Sequence, residues 1–187
     1  MTARTAARLL LAIATALPLA AAQADPVDAL ALARQVNEQI VHKHMREEVQ
    51  AFAQAFNGST MLPQDVPTGC RAQMQTAVTG MYAAMVGHMQ AGVDDPAYQR
   101  AIEAKLAAAY STAELQAFLA DLGSTEVATL ATRVMAAPGL KQAQQAQQQK
   151  ILDGVDENAT GSPELAAALR ATNAAQAACQ ALQTDAG

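Results

Sequence analysis

Tryptophan is absent from this chain, aromatic residues make up only 3% of its 187 positions, and cysteine occurs twice. Strands favour Val, Ile, Thr and aromatic side chains, so this shortage argues against a sheet. Basic residues are also few, 12 against 17 acidic ones. A scattered minority of lysine and arginine excludes the clustered positive face that phosphate backbones require, and an acidic chain is repelled by anionic lipid surfaces. Neither nucleic acid nor a membrane surface is expected as a partner. Motifs of catalysis are missing too. There is no Gly-x-Ser-x-Gly, no His-Glu-x-x-His, no phosphate-cradling glycine loop and no Cys-x-x-Cys. No catalytic residue and no cofactor is expected.

What the chain does have begins at its N-terminus. Arg4 and Arg8 precede an apolar run from Leu9 to Ala22, and Ala22-Gln23-Ala24 places small residues at −3 and −1. This is the layout of a secretory signal peptide cleaved after Ala24. The run is shorter than the roughly 20 apolar residues of a membrane span, so no span is expected after cleavage. Without Arg4 and Arg8 the balance is 10 basic to 17 acidic residues, a net charge of −7 in place of −5. Residues 25–187 then form one domain, within the usual range of about 100–200 residues. Export places Cys70 and Cys179 in an oxidising compartment, the periplasm. There, two cysteines admit one pairing, a structural disulfide.

About a quarter of the residues are alanine, the best helix former and the smallest side chain of a core. Apolar positions recur at helical spacing through Val41, Met45, Val49, Phe52 and Phe56, and Asn57-Gly58 ends that helix. A loop over residues 59–69 follows. The next helix runs from about Cys70 to Gln90, carrying Met74, Val78, Met81, Met85 and either His88 or Met89 on one stripe, with Gly92 as its stop. Asp95-Pro96 opens a third helix with Tyr98, Ile102, Leu106 and Tyr110 inward. Ser111 and Glu114 form a capping box for a short helix that ends at Gly123. Ser124 caps the next helix, and Pro138-Gly139 interrupts it. Lys141 to Lys150 is glutamine-rich and predicts a solvated surface helix. A polar loop from Asp153 leads to a last helix opened by Ser162-Pro163-Glu164, with Cys179 near its end. The expected fold is all-α, a single-domain bundle of about five to seven helices stapled by one disulfide.

Over residues 101–140 the chain resembles a family of small exported proteobacterial helical proteins with a domain of unknown function. That family's pattern is aromatic-Thr-x-x-Glu-Leu, then Phe-Tyr, then Ser-Pro-x-Gly. Tyr110-Ser111-x-x-Glu114-Leu115 matches the first part, and Ser124 falls at the serine of the last. Asp121-Leu122 stands in place of Phe-Tyr, and Thr125 and Val127 replace the proline and the glycine. The resemblance implies a helical envelope protein and transfers no catalytic residue.

Two functional readings follow. The first is a non-enzymatic binding or interaction module that takes an envelope protein or an apolar ligand on its methionine-rich face, since methionine surfaces adapt to varied partners. The second is a copper-handling protein. Met81, Met85 and His88 fall at i, i+4 and i+7 on one helix face, and thioether with imidazole is a donor set soft enough for Cu(I). His42 and His44, two apart, point to different sides of their helix. Glu47-Glu48 reads as a solvated face and Asp94-Asp95 as part of a helix start.

Overall fold

A computed structural model of the chain describes residues 26–55, 62, 66–155 and 162–184. The expected signal peptide, Phe56, the expected Asn57-Gly58 stop and most of the expected 59–69 loop lie outside the described residues. Among those described there are eight α-helices and no strand: α1 (Pro26–Val36), α2 (Lys43–Ala55), α3 (Thr68–Val93), α4 (Pro96–Ala109), α5 (Thr112–Asp121), α6 (Val127–Val134), α7 (Leu140–Asp153) and α8 (Pro163–Thr184). A π-helical turn, Asn37–His42, joins α1 to α2 without leaving right-handed backbone, so the chain forms seven helical rods. The all-α bundle with one disulfide is the observed architecture.

The main core lies where α1, the π turn, α4, α5 and α6 converge with the first residue of α7. Val36, Ile40, Ile102, Leu106, Leu115, Leu130, Val134 and Leu140 are completely buried there. A π turn takes an extra residue into the helix, and Asn37, Ile40 and Val41 are all buried along it. A second layer is built on α3. Helix α8 packs along it, and α2 and α7 meet it as well. Cys70 near the start of α3 is bonded to Cys179 near the end of α8, across 109 residues of sequence.

The helix ends follow the chemistry of their caps. Asp95 accepts from the Ala97 amide at 2.8 Å with Pro96 at the first helical position. Ser111 and Glu114 close their capping box, the Glu114 carboxylate accepting from the Ser111 amide at 2.7 Å. Tyr110 donates to the Val134 carbonyl at 2.8 Å and meets Phe118 edge-on at 5.1 Å, while Arg133 pairs with Asp121 and lies over the Phe118 ring. The residues of the family-like pattern thus lock the α4–α5–α6 corner. Gly139 is the left-handed residue between α6 and α7, at φ +81°, a conformation that glycine adopts without strain.

Two expectations need correction. Ser124 does not cap α6. Its hydroxyl donates back to the Asp121 carbonyl at 3.3 Å, and Glu126 is the residue before α6. Gly92 does not stop α3, which runs one residue further to Val93. A Cβ at Gly92 would lie 2.6 Å from Ile151 Cδ1, so glycine stands there to let α7 approach. The Lys141–Lys150 stretch is largely exposed, as expected, with Gln147 as its buried exception, its amide donating to the Gly92 carbonyl.

Candidate binding groove

The α3–α4 turn, Gly92 to Asp95, is held from four sides. Helix α3 ends with carbonyls that no further turn can satisfy, and two glutamines answer them. Gln147 of α7 donates to the Gly92 carbonyl at 2.6 Å, and Gln99 of α4 donates to the Val93 carbonyl at 2.5 Å. Gln99 in turn accepts from Asn37 Nδ2 at 2.6 Å, linking the π turn to the end of α3. The two aspartates take cations. Arg46 reaches both oxygens of Asp94 at 2.8 and 3.0 Å, and His42 Nε2 lies 2.7 Å from Oδ1. Lys150 donates to Asp95 at 2.6 Å.

These contacts set the spacing of α2, α3 and α7, and an apolar groove of about 380 Å³ lies between them. Met45 and Val49 form one wall, Met85, Met89 and Val93 the floor, and Ile151, Leu152 and Val155 the far wall. Glu48, Gln144 and Gln148 complete the lining. From Gln144 to Asp153 the α7 wall is roughly 14 Å long at 1.5 Å per residue. Leu152 is 64% exposed and Val155 40%, whereas the three methionines are half-buried. Tyr98, buried below, donates to Met45 Sδ at 3.5 Å, and its burial pushes its phenol up to about 12. It therefore stays protonated as a donor at physiological pH. A wider hollow of about 810 Å³ is lined by Glu38, His42, Lys43, Arg46 and Glu47 together with Leu122 and Val127; Lys43 pairs there with Glu47, and His42 and Arg46 with Asp94.

Met81, Met85 and His88 are all partly buried on α3. Met85 lines the groove, but His88 turns to the end of α7, where its Nε2 lies 2.9 Å from the Ile151 carbonyl. A bond to a carbonyl makes Nε2 the protonated nitrogen, which leaves only Nδ1 as a donor to a metal. The ring also lies 2.6 Å from where a Cβ on Gly154 would be. His88 thus braces α7 against α3. No cluster of three or more His, Cys, Asp or Glu residues able to hold a metal occurs among the described residues. His42 and His44 do face apart, toward Asp94 and Glu48. Glu47 and Glu48 lie on an exposed face, and Asp95, not Asp94, is the cap.

Sequence reasoning missed Asn37, Gln99 and Gln147, along with Leu152 and Val155 of the far wall. Asn37 carried a signal, a polar residue on the Ala33, Val36, Ile40 apolar stripe. Gln147 carried none, lying within a run of like residues.

Arg46, by hydrogen bonding first and charge second, holds the Asp94 carboxyl below its ordinary 3.8, and His42 adds to the effect. Lys150 and the Ala97 amide hold Asp95 down likewise. A depressed carboxylate contributes stability that is present above its unfolded value and lost as pH falls through its folded one. Thermal melts are therefore expected to decline below about pH 4, with Asp94→Asn giving a lower plateau and a shallower decline. An unchanged acid limb in that variant would show that Asp94 does not hold the turn.

The fold and groove define a class, an all-α protein with a methionine-floored cleft. No helix among the described residues is long and apolar enough to cross a membrane. No family model, no curated protein and no solved structure matches the chain.

Proposed function

We propose that this chain is a non-enzymatic binding module, exported to the periplasm, that receives apolar groups in the groove between α2, α3 and α7. One observation carries the reading. Leu152 and Val155 are two of only three large hydrophobic residues exposed among those described, and both stand on the rim of this one groove. Apolar side chains gathered at an exposed cleft mark a contact surface, whereas single ones scattered over a protein carry no such meaning. The methionine floor suits a site that must adapt to its occupant. The Cys70–Cys179 bond and the lack of a spanning helix among the described residues are compatible with export. The short resemblance over residues 101–140 to exported helical proteins points the same way, its matched Ser111 and Glu114 serving as a cap and Leu115 as core.

A neutral solvatochromic dye such as Nile red tests the groove without involving charge. Its emission is expected to shift to the blue on mixing with the protein. Leu152→Asp and Val155→Asp, both at exposed positions, should each weaken binding by about tenfold, the loss of roughly one buried side chain. Equal dye binding by wild type and both variants would overturn the assignment. Cu(I) titration of wild type and Met85→Ala completes the test. Uptake lost with Met85 would favour the copper reading instead.

A further inference from the structure

Resting on the groove assignment, we infer that the occupant is a cationic amphipathic helix of a partner protein. Shape argues for a helix over a small molecule. Small ligands sink most of their surface into a concave site, and a wall that leaves Leu152 64% exposed does not enclose one. An open trough about 14 Å long matches two to three turns of helix, which would seat residues at i, i+3, i+4 and i+7 between the walls.

Charge argues for the sign. Across this part of the molecule the basic side chains are already engaged, Lys43 with Glu47, Arg46 with Asp94 and Lys150 with Asp95. Two acids here have no lysine or arginine partner: Glu48, the one acid in the groove lining, and Asp153, next to Leu152 in sequence. Glu48 of α2 has His44 at 3.5 Å, and Asp153 of α7 accepts an amide from Gln149 at 2.6 Å. Asp153 also closes α7, whose C-terminal carbonyls carry the negative end of the helix dipole. Lys141, at the far end of α7, is a counterweight more than two turns away from the Asp153 end. Glu48 and Asp153 are therefore the acids that a basic flank on the incoming helix would meet.

Because this chain has no tryptophan, a tryptophan-bearing peptide reports its own binding. Three synthetic helices of about 14 residues, sharing one leucine face and differing only in Lys, Gln or Glu flanks, are titrated against the full exported chain. The Lys peptide is expected to bind about tenfold more tightly than the Glu peptide at low salt, the gap closing as salt rises. Glu48→Gln with Asp153→Asn should cut that preference to about threefold or less, and Leu152→Asp should weaken all three peptides. Equal binding of the three peptides, lost with Leu152→Asp, would overturn the cationic preference and leave the groove. Failure of every peptide while Nile red still binds in a Leu152-dependent way would overturn the helical occupant alone. Failure of both probes would remove the groove reading itself.

Discussion

Replacing Cys70 and Cys179 together with serine is expected to lower stability by about 2–5 kcal/mol, a drop in melting temperature of roughly 5–15 °C for a chain of this size. The bond spans 109 residues, and closing a loop of about 100 residues removes up to ~4.7 kcal/mol of denatured-state entropy on the chain model. The noncovalent contact of α8 with α3 is extensive but includes small side chains. That helix packs along α3, and its buried residues include Leu165, Ala166, Ala175 and Cys179. Alanine buries little apolar area, so each such contact contributes far less than a leucine would. Thr172 adds a hydrogen bond of 3.3 Å to the Ala77 carbonyl of α3. Loss of the covalent link should therefore release α8 first, as a local opening below the global one. Hydrogen exchange of the serine variant is the measurement. Amides of α8 should lose protection while those of Ile102, Leu106 and Leu115 in the main core keep it. A melt within 2 °C of wild type would mean that noncovalent packing alone seats α8, despite its alanine-rich contact with α3.

The same contrast between near and far contacts separates what is legible in the sequence from what is not. Caps and stripes are local, so Asp95, the Ser111–Glu114 box and the Tyr98, Ile102, Leu106 stripe can be read from neighbouring residues alone. The disulfide is legible because two cysteines leave one pairing. The groove is not, because it needs three helices from distant parts of the chain and a spacing set at the Gly92–Asp95 turn. Gly92 shows the difficulty. A glycine at the end of a helical pattern reads as a stop, yet its position beneath Ile151 makes it a docking point between helices. Ser124 fails for the opposite reason. Both the helix before it and the one after it offer a local use for a hydroxyl, and composition does not choose between them. The π turn is invisible for a third reason, since Val36, Asn37, Ile40 and Val41 also fit an ordinary amphipathic helix. The buried polar residue is the available clue, and its meaning depends on Gln99, 62 positions away.

That pair carries the second large effect. Gln99→Leu is expected to destabilise the protein by about 2–4 kcal/mol, because it strips partners from two groups and each buried unsatisfied group costs about 1–3 kcal/mol. One is the Val93 carbonyl at the end of α3. The other is Asn37 Nδ2, on a residue only 3% exposed whose Oδ1 already has no hydrogen-bond partner. Asn37→Leu alone should cost less, since it removes an unsatisfied oxygen along with the donor and strands only Gln99 Oε1. The double Asn37→Leu, Gln99→Leu variant should then be more stable than the sum of the two singles by about 1–2 kcal/mol, the coupling expected for neighbours in one network. Urea unfolding of all four proteins gives the cycle. Because Val93 lies on the groove floor, Gln99→Leu should also weaken Nile red binding at temperatures where the variant remains folded. A Gln99→Leu cost within about 0.5 kcal/mol of zero, the usual range for an uninvolved surface site, would instead mean that the ion pairs of Asp94 and Asp95 hold the turn unaided. The polar chain through the π turn would then be a passenger of the fold, and the groove would owe its shape to charges at the surface.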